Sequence, residues 1–217
     1  MTGGALLLAA ALSLALYNLW DDNRAGTEPQ QALEILQQLP AAAEPLTERR
    51  QDAPAAPAVK NVPDYIRCPE MSMPTVKIEG REYIGVLSIP TIDISLPVLS
   101  RLSKSGLKAA PCRYVGSAYL DSMVIAAHNY KAHFGKMKEL RIGDRLSFTD
   151  ADGNIFYYEV GEIEILAPDA MEEMTDSDWD LTLFTCTIGG QTRVTIRLER
   201  VEVFRNPETE EPAKSEK

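Results

Sequence analysis

The chain has 217 residues, enough for one folded domain with appended segments, and its formal net charge is −10 at pH 7. A surface that binds nucleic acid needs concentrated lysine and arginine, and this acidic sequence has no such cluster. It has two histidines and three cysteines, with neither a Cys-x-x-Cys nor a His-x-x-x-His pair. The composition therefore predicts no nucleic-acid partner and no metal.

The first segment predicts a membrane anchor. Residues 3–19 carry no charge and are mostly Leu and Ala, and a membrane-spanning helix needs roughly 20 apolar residues. A cleaved signal peptide is the alternative, but the start lacks Lys and Arg, and the segment ends in bulky Tyr17 and Trp20. We therefore predict an uncleaved anchor over residues 1–23, in a single-pass protein of the cell membrane. The domain that follows the anchor would lie outside the cytoplasm.

Two segments have the composition of spacers. Residues 24–64 are rich in Pro, Ala, Gln and Glu and predict an extracytoplasmic stalk, with one short helix over 30–39. Residues 206–217 predict a disordered tail. The folded domain is therefore expected to cover residues 65–205.

Within that domain, short apolar runs predict an all-β barrel or sandwich. A strong turn signal at 150–153 separates two of the strands. A phase slip near 199–200 predicts a bulge in the last strand. One helix is expected over 131–140, where Phe134, Met137 and Leu140 share a face. The predicted strands lie at 83–89, 92–98, 123–127, 145–149, 154–166, 181–186 and 193–204.

Three polar residues stand where these strands end or begin. Cys186 ends a strand before a Gly-containing loop, His128 follows a buried run, and Arg193 opens the next strand. A thiol, an imidazole that exchanges protons and a permanent cation could perform nucleophilic catalysis. Each also has a structural interpretation, as a buried Cys, a loop His and an exposed strand cation. His133 and Arg197 are the alternative candidates for the histidine and the arginine.

The order of these motifs resembles the sortase family. The matching segments are AAH at 126–128, LTLFTC at 181–186 and TRVTIRL at 192–198. The segments YIGVLSIPTIDISLPV at 83–98 and FGKMKELRIGDRLSF at 134–148 are also similar to that family.

The resemblance implies an eight-stranded sortase-type β-barrel with one or two short helices, preceded by the transmembrane helix. It implies a cysteine transpeptidase in which the Cys186 thiolate attacks a sorting motif, often Leu-Pro-x-Thr-Gly, and forms a thioacyl intermediate. His128 would be the acid and base, Arg193 would stabilise the oxyanion, and Thr185 would contact substrate. The expected partners are surface proteins or pilins bearing the motif, a peptidoglycan-precursor or pilin amine, and the membrane.

The chain departs from the family pattern in several places. The loop from Cys186 to Arg193 is short, and Pro63-Asp64-Tyr65 has the wrong order for the Asp-Pro-aromatic lid of pilin-type relatives, so we predict no lid. No cofactor is expected, although acidic residues of the 167–180 segment could gather Ca²⁺. These acidic residues are Glu172, Glu173, Asp176, Asp178 and Asp180.

Two further questions stay open at this point. Cys68 and Cys112 could pair outside the cell or remain two free thiols. A membrane-tethered, non-catalytic β-barrel module is the alternative function. A cysteine protease of another fold is disfavoured, because papain-like enzymes place their Cys early and on a helix.

Overall fold

A closed β-barrel forms the body of the protein. The computed structural model describes residues 2–27, 29–38, 62–175, 178–187 and 189–201. The strands are β1 (Val76–Ile78), β2 (Arg81–Ile89), β3 (Ile94–Leu99), β4 (Cys112–Val115), β5 (Met123–Ala127), β6 (Arg145–Asp150), β7 (Ile155–Leu166), β8 (Leu181–Cys186) and β9 (Arg193–Val201).

The strand order is β1-β2-β3-β4-β5-β8-β9-β7-β6, and an additional β2–β6 pairing closes the sheet. Eight strands therefore form the barrel, and β1 is an extra strand that, among the described residues, pairs only with β2. Most neighbours are antiparallel, but β3–β4 and β5–β8 are parallel. The predicted eight-stranded barrel is confirmed.

The barrel interior is built from alternate residues of each strand, because successive side chains point to opposite faces. On β8 and β9, Leu181, Leu183, Ile196 and Leu198 are fully buried in this core. Burying each such side chain contributes roughly 1.5–3 kcal/mol. The intervening residues of the same strands consequently face outward.

More helices are present than the predicted one or two. They are α1 (Thr2–Thr27), α2 (Gln30–Gln37), α3 (Asp64–Arg67), α4 (Lys104–Ala109) and α5 (Met171–Thr175), with 3-10 turns at Pro90–Ile92 and Met137–Glu139. Within the part of the chain that the structure describes, no helix is both long enough and apolar enough to cross a membrane. The anchor and the localisation therefore stay predictions.

The helix expected over 131–140 is instead a series of turns that ends in the 3-10 turn. Its three apolar side chains do point inward together, since Phe134, Met137 and Leu140 are all part of the core. The apolar spacing identified the buried face correctly but not the type of helix.

Part of the predicted stalk belongs to the folded domain. Helix α2 packs on β2 and β3, and its Ala32 and Leu36 are buried against Tyr83, Val86 and Leu99. Residues 39–61 and the tail at 206–217 lie outside the described residues, so their predicted spacer character is not tested.

The turn predicted at 150–153 is present between β6 and β7, and Gly153 has φ +83°. The Asp150 carboxylate accepts the backbone N–H groups of Asp152 and Asn154, each at 2.9 Å. The bulge predicted in β9 is wrong, since the register shift lies in the partner strand β7, between Val160 and Glu162.

Candidate active site

Strands β5 and β8 bring the candidate histidine and cysteine to one edge of the barrel. They run in parallel and in register, with Ala127 paired to Thr185. His128 and Cys186 are the next residues along the two strands, so their backbones lie side by side. Two residues 58 positions apart thus become neighbours through a single strand pairing.

The antiparallel β8–β9 pairing adds the arginine, because Cys186 and Arg193 are direct partners. Paired residues on adjacent strands direct their side chains to the same face. In the connecting turn, Gly189 has φ +87° and Gly190 has φ +73°. Residues other than glycine rarely adopt such positive φ angles. The Thr187 N–H donates to the Thr192 carbonyl at 3.0 Å and closes the turn.

The Arg193 guanidinium is held by its own turn. Its Nη1 donates to the carbonyl oxygens of Gly190 at 3.0 Å and of Thr192 at 3.1 Å. These bonds fix a permanent cation at the start of β9, opposite Cys186. The Cys186, His128 and Arg193 side chains are all half-buried, so they are positioned by the barrel yet open to solvent.

The segment that follows β5 fixes the backbone of His128. The Phe134 N–H donates to the His128 carbonyl at 3.2 Å, and the His128 and Tyr130 rings lie 4.9 Å apart. The chain therefore turns back on itself immediately after the strand, with His128 at the rim of the barrel.

Thr185 has a different position from the one expected of a substrate contact. Its side chain is 4% exposed, and its hydroxyl donates to the Ala127 carbonyl at 2.8 Å. This bond ties β8 to β5 directly before Cys186 and His128. We therefore interpret Thr185 as a link between the two strands, on the opposite face from Cys186.

The alternative candidates are buried away from the rim. His133 is fully buried, and Arg197 is 3% exposed and paired to Glu164, with Nε 2.7 Å from Oε1. Neither side chain is accessible to a substrate in this structure. The geometry favours His128 and Arg193.

The surroundings of the site on the outer face of the barrel were not predicted from the sequence. Phe184 lies two residues before Cys186 on this face. Its ring makes a T-shaped contact with the Tyr114 ring, with the two centroids 5.6 Å apart. Thr195, the partner of Phe184, is fully buried, and its hydroxyl has no hydrogen-bond partner among the described residues. A strict alternation of apolar and polar residues cannot reveal that a polar outer face is covered.

The acidic segment gives no support for a calcium site. Within the described residues, no group of three or more His, Cys, Asp or Glu side chains could hold a metal ion. Asp176 lies outside the described residues. Asp180 has another role, because its carboxylate accepts the Arg200 N–H at 2.6 Å.

The three cysteines are all free. Cys68 is exposed, whereas Cys112 is fully buried in the cluster under α2. Burial raises the pKa of the Cys112 thiol from 9.0 to about 11, so it stays protonated at neutral pH. Cys112 is therefore unsuited to nucleophilic chemistry, unlike the rim cysteine Cys186.

Comparisons with known proteins agree with this arrangement. The family model described as the sortase domain matches residues 87–201, which include all three candidate residues. This match covers more than half of the 217 residues. The chain belongs to the sortase family.

Sortase A of Bacillus anthracis is 26% identical over 115 residues, which are 50% of this chain and 54% of that protein. The alignment thus spans only about half the length of this curated relative. Two solved structures are similar, each with a TM-score of 0.51: sortase A of Corynebacterium diphtheriae, a lid mutant, and sortase C1 of Streptococcus agalactiae. The C. diphtheriae structure is 25% identical in sequence, and the match covers 59% of this chain and 74% of that one. The S. agalactiae structure is 26% identical, and the match covers 58% of this chain and 72% of that one.

Proposed function

We propose that this protein is a cysteine transpeptidase in which Cys186 is the nucleophile, His128 the acid and base, and Arg193 the oxyanion-side cation. The observation that carries the proposal is the strand register. His128 directly follows Ala127, and Cys186 directly follows Thr185, the partner of Ala127 in the β5–β8 pairing. Arg193 pairs with Cys186, so all three residues lie at one rim of the barrel. Membership of the sortase family supports the same assignment.

The reaction would proceed by acyl transfer in two halves. In the first, the Cys186 thiol gives its proton to His128, and the thiolate attacks a peptide carbonyl and forms a C–S bond. The C–N bond then breaks as His128 gives a proton to the leaving amine. In the second, an incoming amine attacks the thioester and gives a proton to His128. The thiolate leaves, and the new amide has formed.

Arg193 would stabilise the charge that develops on the carbonyl oxygen. Both of its hydrogen bonds to the turn use Nη1, so Nε and Nη2 have no partner among the described residues. These donors can bind an oxyanion while the turn keeps the cation in place. Fixed donors of this kind typically contribute several kcal/mol to the transition state.

The proposed acyl donor is a surface protein or pilin that carries a sorting motif of the Leu-Pro-x-Thr-Gly type. The proposed acceptor is an amine of a peptidoglycan precursor or of a pilin. Membership of the sortase family supports both proposals, and a panel of peptides tests them together.

We also propose that the first segment attaches the enzyme to the cell membrane, with the barrel outside the cytoplasm. Six leucines of α1 are 57–75% exposed, which is costly in water for an isolated helix. These are Leu6, Leu7, Leu8, Leu12, Leu14 and Leu16. Cell fractionation with and without residues 1–27 tests this attachment, and recovery of both forms in the soluble fraction would contradict it.

The catalytic proposal is tested with fluorogenic peptides bearing the motif, with and without an amine acceptor. Wild-type protein should cleave a motif peptide, form a covalent acyl adduct visible by mass spectrometry, and join the acyl group to the amine. Cys186→Ala should abolish both steps. His128→Ala and Arg193→Ala should each lower kcat by at least about a hundredfold.

Matched controls are available on the same chain. Cys68→Ala removes another accessible thiol, and Arg101→Ala removes an arginine that is 81% exposed. Both should keep wild-type activity. Cleavage by Cys186→Ala at the wild-type rate would refute the enzyme proposal and favour a non-catalytic module, and cleavage without amine transfer would favour a hydrolase.

A further inference from the structure

We propose that Arg197 is a positioning residue that clamps the segment 167–175, here called the cap, over the outer face of β8 and β9. The clamp would thereby shape the surface on which the acyl-donor peptide lies beside Cys186. This inference rests on the proposed transpeptidase function and assigns a role to a residue outside the catalytic group.

Arg197 joins three separate elements. Its Nε donates to Glu164 Oε1 on β7 at 2.7 Å, and its Nη1 donates to Thr182 Oγ1 on β8 at 3.1 Å. Its Nη2 donates to the Glu173 carbonyl of α5 at 2.6 Å. One side chain on β9 is thus bonded to both neighbouring strands and to the cap.

The bond to the cap satisfies a group that the short helix cannot satisfy itself. The last four carbonyls of an α-helix have no partner within the helix, and Glu173 is among them in the five-residue α5. An arginine near a helix C-terminus binds such carbonyls and is favoured by the helix dipole. A guanidinium with its planar donors can reach all three acceptors, whereas a lysine cannot.

The cap also packs against the outer surface beside the rim. Met174 is 1% exposed, and the Tyr114 hydroxyl lies 3.8 Å from the Met171 sulfur. Tyr114 in turn contacts Phe184, which lies two residues before Cys186. The position of the cap therefore sets the shape of the apolar surface that leads to the thiol.

A catalytic role for Arg197 does not fit these contacts. Its side chain is 3% exposed and is held by three acceptors, so it cannot approach a reacting carbonyl. Removing the partner of a buried charge is costly, so these three bonds hold the cap firmly.

The test compares Arg197→Met, which removes the donors at similar volume, with Arg145→Met. Arg145 pairs with Glu159 at 2.8 Å on the β6–β7 hairpin and serves as the matched control. Hydrogen exchange of the cap amides, KM for a motif peptide and the rate of Cys186 alkylation by iodoacetamide are measured for each. Arg197→Met should speed cap exchange by about tenfold or more, raise KM by about fivefold or more, and leave alkylation within about twofold. Arg145→Met should change none of these.

Glu164→Gln provides a second variant if Arg197→Met does not fold. It keeps the acceptor but removes the charge, so cap exchange and KM should shift in the same direction by a smaller factor. Unchanged hydrogen exchange of the cap amides in both variants would refute the clamp. A fall in kcat with unchanged KM would also refute it. If wild-type protein cleaves no peptide, the proposed function fails, but the exchange measurement still decides whether Arg197 holds the cap.

Discussion

Replacing Thr185 by Val tests whether a single hydrogen bond aligns the two strands that carry His128 and Cys186. Valine has nearly the same shape as threonine and favours strands equally, so the change removes the hydroxyl with little effect on packing. What is lost is the 2.8 Å bond from the Thr185 hydroxyl to the Ala127 carbonyl.

The structure gives the expected size of the effect. Thr185 is 4% exposed, so water cannot easily replace the lost donor. A net hydrogen bond contributes about 0.5–1.5 kcal/mol, and a buried acceptor without a partner costs about 1–3 kcal/mol. We therefore expect the free energy of unfolding to fall by about 2 kcal/mol, which corresponds to a shift of roughly 1 M in the urea midpoint.

Activity should fall together with stability, because small displacements between the proposed nucleophile Cys186 and the proposed base His128 would slow the reaction. We expect kcat to fall by about tenfold or more. Thr185→Ser keeps the hydroxyl and is the control. Urea denaturation and peptide cleavage are measured for both variants. If Thr185→Val matches Thr185→Ser in both assays, the bond does not align the strands, and the interpretation of Thr185 as a link is refuted.

Three further changes test other parts of the structure. Thr195→Val removes a buried hydroxyl without a described partner and should stabilise the fold by about 1 kcal/mol in urea denaturation. Gly161→Ala would place a Cβ 2.5 Å from the Trp179 ring, which should cost about 1–3 kcal/mol and alter tryptophan fluorescence. Burial raises the pKa of Cys112 to about 11, so the unfolded thiol ionises at lower pH than the native one. Stability should therefore decline between about pH 9 and 11 by on the order of 2 kcal/mol, and by less in Cys112→Ala.

Each of these expectations has a distinct contrary result. A less stable Thr195→Val would indicate that the hydroxyl has a partner in solution. Unchanged fluorescence and stability in Gly161→Ala would mean that Trp179 does not lie against β7. An identical decline above pH 9 with and without Cys112 would assign the alkaline loss to other groups.

The local sequence predicted the elements of the site better than their assembly. Cys186 and His128 each follow an apolar run, and that pattern correctly placed both at strand ends. The parallel pairing that joins them involves strands far apart in sequence, and hydrophobic patterning contains no information on which strands pair. The family resemblance supplied that long-range information.

Burial of polar residues was the least predictable feature. Arg197 and Thr195 occupy the polar phase of β9, which normally faces water, yet both are buried. Arg197 is bonded to the cap. The cap itself has an acidic composition typical of a solvated loop, yet its Met174 is 1% exposed. Helix α2 was likewise identified as a helix from its leucines, but its packing on the barrel depends on a surface that the sequence does not reveal.

The parallel β5–β8 pairing also has a kinetic consequence. Contacts between distant segments form slowly, since the intervening chain must first lose much of its conformational freedom. Cys186 and Arg193 lie on β8 and β9, the last two strands of the barrel along the chain. His128 is therefore synthesised before both of them. A chain that is still being synthesised therefore cannot yet bring these three side chains together, and the proposed catalytic group forms only when the barrel closes.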